Sequence, residues 1–144
     1  MKNSKYIITG RIEDIMEVDV LSVVDEGCGS FIIFEGRVRA DKVDGSEVEK
    51  IVYESYIEMA EREIAKIESE AIEKFSVKKV IIKHRVGEVK VGEIALLVAV
   101  LSEHRKEGFE AIQYVIDEIK RRVPIWKKEI LKNGKQRWVE GKND

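Results

Sequence analysis

The amino-acid sequence predicts an α+β fold with mostly antiparallel neighbours, and three observations carry that expectation. Several short runs alternate apolar and polar residues with a period of two. Two longer stretches repeat apolar residues every three or four positions. One run, Ile94 to Leu101, is apolar throughout. The first pattern builds half-buried strands, the second amphipathic helices, and the third a strand covered on both sides.

Taken in order, Ile7 to Ile12 reads as a short strand. Asp14 to Val24 sets Ile15, Val18 and Leu21 at helical spacing, with Asp14 as a capping residue and Gly27 and Gly29 as breakers. Phe31 to Arg39 reads as a strand. Ile32, Phe34, Gly36 and Val38 share one face; Phe31, Ile33, Glu35, Arg37 and Arg39 share the other. Asp44-Gly45 marks a turn before a second strand, Val48 to Tyr56, and these two strands are expected to form a hairpin.

Ile57, Ala60, Ile64, Ile67, Ala71 and Phe75 form the apolar stripe of a helix. Val77 to Val86 returns to period two, with Val80, Ile82, His84 and Val86 on one face. Gly87 and Gly92 bracket a tight connection to the apolar strand. A second helix carries Phe109, Ile112, Ile116, Ile119 and Val123. Pro124, the only proline, ends it, because the residue before proline is pushed out of helical geometry. Asn133-Gly134 predicts a last hairpin that reaches Trp138 and Val139. The expected order is β-α-β-β-α-β-β-α-β-β, in one domain over 1–140 with a frayed tail at 141–144.

Composition excludes several function classes. The chain has 144 residues, with 26 Lys and Arg against 28 Asp and Glu, so its net charge is −2. A near-neutral sum argues against a general nucleic-acid or membrane-surface binder. Apolar residues make up 44% of the chain, enough for a sizeable core. Cys28 stands alone and can form no intramolecular disulfide, the usual state of a reduced cytoplasmic protein. Met1 to Gly10 has no apolar targeting core, and the longest apolar run is far short of the roughly 20 residues that cross a bilayer. A soluble, cytoplasmic protein is expected.

Chemistry gathers in three places. Arg37 and Arg39 fall on one side of a strand end, where two guanidiniums can grip a phosphate or carboxylate, although taken alone the motif is better explained as a solvated strand end. His84-Arg85 and His104-Arg105 repeat a dipeptide in different settings. His84 lies on an apolar face and reads as a hydrogen-bonded core histidine. His104 and Arg105 open a helix, whose free N–H groups attract anions, so they suit an anion site or a plain surface cap. With two histidines and one cysteine, no metal-ligand spacing appears.

The third place is Lys120 to Lys128, with five cations and no acid. Arg121 has Asp117 four residues earlier and Arg122 has Glu118, so both suit ordinary surface pairs. Lys120 lies beside the apolar stripe, below Ile116. A lysine half-buried near other cations is the kind whose pKa drops, which makes it usable as a base or nucleophile. A basic helix end favoured by the helix dipole accounts for the two arginines, but less well for Lys120 and the Pro-Ile-Trp-Lys-Lys-Glu stretch that follows.

Placed in order, these segments resemble the large, catalytic subunit family of molybdopterin synthase. The matching words are Phe34-Glu35-Gly36-Arg37-Val38-Arg39, Val52-Tyr53-Glu54-Ser55-Tyr56, His84-Arg85-Val86-Gly87-Glu88 and Val91-Gly92-Glu93. His104-Arg105 with Phe109-Glu110-Ala111, then Pro124-Ile125-Trp126-Lys127-Lys128-Glu129 and Trp138-Val139, complete the set. Each word is weak alone; together, in family order and spacing, they are specific. Glu35 and Gly108 depart from the family pattern, which has a small or apolar residue and an alanine there.

The resemblance implies an α/β hammerhead with an additional antiparallel β-sheet, working as a homodimer. It implies a small ubiquitin-like sulfur-carrier partner, bound to give a heterotetramer, whose C-terminal Gly-Gly thiocarboxylate enters a pocket. Two sulfurs would pass to cyclic pyranopterin monophosphate and form the dithiolene of molybdopterin, with no cofactor of the protein's own. By the same resemblance Lys120 and Lys127 are the catalytic lysines, and Arg39, His104 and Arg105 bind the substrate's phosphate region near the dimer interface. Two other classes compete: a nucleic-acid module using the 120–128 cluster, and a non-catalytic scaffold for the carrier.

Overall fold

The computed structural model describes residues 4–139, so the proposed tail at 141–144 lies outside the described residues. Two sheets form the framework. The first has the order β1-β5-β7-β2, from Ile7–Ile8 (β1), Lys79–Arg85 (β5), Ile94–Ser102 (β7) and Ser30–Arg37 (β2). The second has the order β3-β4-β8-β9, from Lys42–Val43 (β3), Ser46–Ser55 (β4), Ile125–Leu131 (β8) and Gln136–Val139 (β9). Gly87–Lys90 (β6) also pairs with β4. Only β1 and β5 run parallel among the described pairs.

The two long helices, Ile57–Phe75 (α2) and Arg105–Arg122 (α3), cover one face of the first sheet. Ala60, Ile64, Ile67 and Ala71 of α2 are fully buried, as the periodicity predicts. Val80, Ile82, Leu96, Val98 and Val100 meet them from the strands. On the opposite face Ile81, Leu97 and Ala99 pack with Ile8, Ile12 and Val20. Every residue of β7 is buried, so its unbroken apolar run reflects cover on both sides. A third cluster, with Val38, Val48, Ile51, Tyr53, Val89, Ala95 and Leu131, seats the second sheet against the end of the first.

Four expectations need correction. The helix at Asp14–Val24 is only a 3₁₀ turn, Ile12–Asp14, and four residues, Met16–Asp19 (α1). Val18 is 75% exposed and Leu21 54%, while Ile12 and Val20 are buried. The Glu13 carboxylate accepts the Ile94 N–H at 2.9 Å and fixes the turn to the start of β7. Second, β2 and β4 do not form a hairpin. β2 pairs with β7, and the hairpin is β3–β4 around Asp44-Gly45, both at positive φ. Third, the connection between Gly87 and Gly92 contains β6, which crosses to the second sheet. Fourth, Phe109 is 57% exposed; the buried stripe of α3 is Gly108, Ala111, Ile112, Val115 and Ile119. At Gly108 the helix lies so close to the sheet that a Cβ would sit 2.8 Å from Ser102 Oγ. Small residues therefore define the contact, and a reading keyed to large side chains misses it.

Candidate functional site

The basic segment divides by geometry into three roles. Helix α3 ends at Arg122, Val123 is already extended, and β8 begins one residue after Pro124. This sharp helix-to-strand change brings Lys120, in the last helical turn, close enough to Lys127, on β8, for their charges to interact. Period two then sorts β8. Lys127, Glu129 and Leu131 share the inner side, with Glu129 and Leu131 buried, whereas Trp126 and Lys128 face the other way. Lys128 Nζ lies 5.4 Å from the Trp138 ring centroid in a cation–π contact on that outer side.

Arg121 and Arg122 are structural. Arg121 pairs with Glu118 rather than Asp117, which instead accepts from the Gln113 side chain at 3.0 Å. Arg122 is largely buried and bonds Glu63 at 3.2 Å, Glu70 at 2.6 Å and Glu118 at 3.1 Å, so the expected Glu118 pair is present within a larger network.

Half-burial pushes the Lys127 pKa down, and the neighbouring Lys120 and Arg39 charges add to the effect; Glu129 and Asp41 oppose it. Arg39 lies just past β2, is 73% exposed in its side chain and pairs with Asp41 at 3.3 Å. The charges of Lys120 and Arg39 thus both act on the half-buried Lys127. Arg37 does not join them: its guanidinium is held by Glu35 and by the Gly92 carbonyl. Arg37 is the last residue of β2 and Arg39 lies beyond the strand, so strand alternation does not keep the two arginines together.

His84 is the core histidine that its apolar face predicts. It is 7% exposed, and its Nδ1 lies 2.9 Å from the Arg85 carbonyl. A carbonyl only accepts, so Nδ1 carries the proton. Burial pushes the His84 pKa down to about 4, against the raising effect of that hydrogen bond, and the charges of Lys127 and Lys120 lower it further. The imidazole is neutral at physiological pH, and the charges of both lysines act on it. Its edge meets the Tyr53 ring. Tyr53 and His84 thus belong to the surroundings of the site, although sequence reasoning assigned them no part in it. No local signal placed them there, since Tyr53 reaches Lys127 only through the β4–β8 pairing of strands far apart in the chain.

His104 and Arg105 lie elsewhere. They open α3, both exposed, and the Glu107 carboxylate accepts the His104 backbone N–H at 3.3 Å. Lys120 is about 22 Å further along the axis, from the rise per residue of an α-helix. Within one chain these two residues do not meet the lysine pair.

Residues 10–122 match the family model described as MoaE protein. The chain belongs to the MoaE family. Two curated relatives named molybdopterin synthase catalytic subunit are similar over nearly the whole chain. That of Pyrococcus abyssi is 41% identical, covering 98% of this chain and 95% of its own. That of Thermoplasma volcanium is 42% identical, covering 96% and 99%. The crystal structure of molybdopterin synthase from Staphylococcus aureus aligns with a TM-score of 0.84 at 36% identity, covering 98% of this chain and 100% of that one. MoaE membership places the chain among the molybdopterin synthase catalytic subunits, which are enzymes of molybdenum cofactor biosynthesis. The mixed α+β architecture described above is the MoaE architecture.

Proposed function

We propose that this chain transfers sulfur from the thiocarboxylated C-terminus of a small ubiquitin-like carrier to cyclic pyranopterin monophosphate, forming the molybdopterin dithiolene in the cytoplasm. The observation that carries the reading is the convergence of Lys120, Lys127 and Arg39 in a MoaE chain. Substrate phosphate and incoming thiocarboxylate are both anions, and clustered cations in a half-dry pocket offset their repulsion. A lysine whose charged form is disfavoured also has a neutral amine available. It can move a proton or take the acyl group of the carrier tail as an amide. Lys127 has the environment for this, and Lys120 stands beside it.

His104 and Arg105 complete the site from a second copy. The length of α3 separates them from the lysines of their own chain, so a homodimer that brings one α3 start to the other's lysine pair would supply both. A carrier on each copy makes the heterotetramer. The same reading describes the fold as one domain over 1–140, an α/β hammerhead with an additional antiparallel sheet. The test mixes the protein with a thiocarboxylated Gly-Gly carrier and the cyclic pterin and looks for dithiolene. Its absence, with all three components intact, would overturn the reading; carrier binding without turnover would leave a scaffold.

A further inference from the structure

Two neutral rings stand next to the cationic patch. Tyr53 on β4 is the direct cross-strand partner of Lys127 on β8. Facing residues of an antiparallel pair share one side of the sheet, with Cβ atoms about 5 Å apart. The Tyr53 ring meets the His84 imidazole edge to face, with centroids 5.4 Å apart and planes at 72°. Both rings are buried. His84 comes from the first sheet and Tyr53 from the second, so their contact joins the helix-covered core to the strand pair that carries Lys127.

We propose that Tyr53 and His84 are positioning residues for Lys127: His84 braces the Tyr53 ring, and the ring shields the lysine stem from water and holds it beside Lys120. The role rests on Lys120 and Lys127 being the sulfur-transfer lysines. Its chemistry is that of a wall without charge. Burial pushes the Tyr53 phenol up to about 12 and the His84 imidazole down to about 4, so both are neutral across the physiological range. The charged groups acting on Lys127 are Lys120 from α3, Arg39 and Asp41 from the loop after β2, and Glu129 on its own strand. All remain when a ring is removed, so the contribution of the rings can be isolated.

The test is an NMR titration of the lysine side chains in the full chain, with isotope-labelled lysine and neither carrier nor pterin present. Lys127 of the unchanged chain titrates below the ordinary lysine range. Tyr53→Phe keeps the ring and leaves that titration in place. Tyr53→Val admits water and moves it upward. His84→Gln keeps a donor for the Arg85 carbonyl but withdraws the ring, and moves it the same way by less. A folded Tyr53→Val chain whose Lys127 titrates as before overturns the proposal. If that variant does not fold, an unmoved titration in His84→Gln does so. Failure of the sulfur-transfer reading would appear in turnover, and failure of this one in the titration.

Discussion

Arg122 of α3 donates to Glu70 of α2 at 2.6 Å and, through the same guanidinium, to Glu63 and Glu118. The two helices are thereby clasped next to the turn that presents Lys120. Hydrogen bonding to Arg122 holds the Glu63 and Glu70 carboxyls below their usual range; Arg121 and then Arg122 do so for Glu118. Carboxylates with lowered folded-state pKa values add stability above their ordinary range and lose it as pH falls through the lowered values. Arg122→Met is expected to cost about 2 kcal/mol at pH 7, because it removes the charge-assisted hydrogen bonds that tie Glu63 and Glu70 of one helix to Glu118 of the other. The cost shrinks in acid. Thermal melts of both proteins at pH 7 and in the acid range check this, and an equal loss at both would disprove the clasp.

Lys120→Ala is expected to reduce dithiolene formation by at least roughly 100-fold, the scale of removing one charge-stabilising group from a reacting centre. Carrier binding should persist, since Arg39 and Lys127 remain. Turnover unchanged in that variant would remove Lys120 from the chemistry.

The two long helices and the apolar strand were legible because each repeats its pattern over many residues. β3 and β6, with two and four residues, are too short to show a period. The misplaced hairpin has a different cause. β2 pairs with β7, whose partners lie far along the chain, and local turn signals such as Asp44-Gly45 say nothing of such a pairing. The site divides in the same way. Lys120 and Lys127 fall in one short segment and could be read together. The placement of Tyr53 and His84 near Lys127 depends on register within two sheets and on how those sheets meet. Arg37 looked equivalent to Arg39, but β2 ends at Arg37, whose guanidinium is held by Glu35 and the Gly92 carbonyl, and Arg39 lies beyond the strand.

Gly108→Ala tests the close approach of α3 to the first sheet. Helix propensity alone favours alanine by about 1 kcal/mol. The added Cβ would meet Ser102 Oγ at 2.8 Å and Ile32 Cδ1 at 3.1 Å. Ser102 is fully buried, and its hydroxyl donates to the His104 carbonyl at 2.6 Å, so turning it away loses that bond. Overpacking of this kind costs roughly 1–3 kcal/mol, and the melting temperature is expected to fall. Adding Ser102→Ala, which removes the obstructing oxygen, should recover part of the loss. A Gly108→Ala chain that melts higher would show that the helix simply shifts outward.

His84 links stability to pH with a definite sign. Its pKa is about 4 when folded and near 6.5 when the ring is exposed to water. Between those values the unfolded chain binds a proton that the folded chain refuses. Stability therefore rises with pH across this window and is lost as pH falls from 6.5 to 4. The contribution is about 3 kcal/mol if the whole shift is realised. Urea denaturation across that window, compared with His84→Gln, isolates it. The variant should show a shallower slope, and an unchanged slope would place the pH dependence in other groups.

Subunit mixing tests whether the site is shared between copies. Lys120→Ala leaves His104 and Arg105 intact, and Arg105→Ala leaves both lysines intact. Each variant alone should be nearly inactive if every site draws on both sets. In a mixed dimer one of the two sites takes its lysines from the Arg105→Ala chain and its helix start from the Lys120→Ala chain. That site is whole, and the other carries both defects. Random reassortment makes half of the dimers mixed, so unfolding and refolding the two variants together should restore about a quarter of the unchanged activity. If His104 and Arg105 served the lysines of their own chain, no mixture would contain a whole site and activity would not return. The separation along α3 excludes that arrangement without a large rearrangement of the helix, so recovery is the expected result.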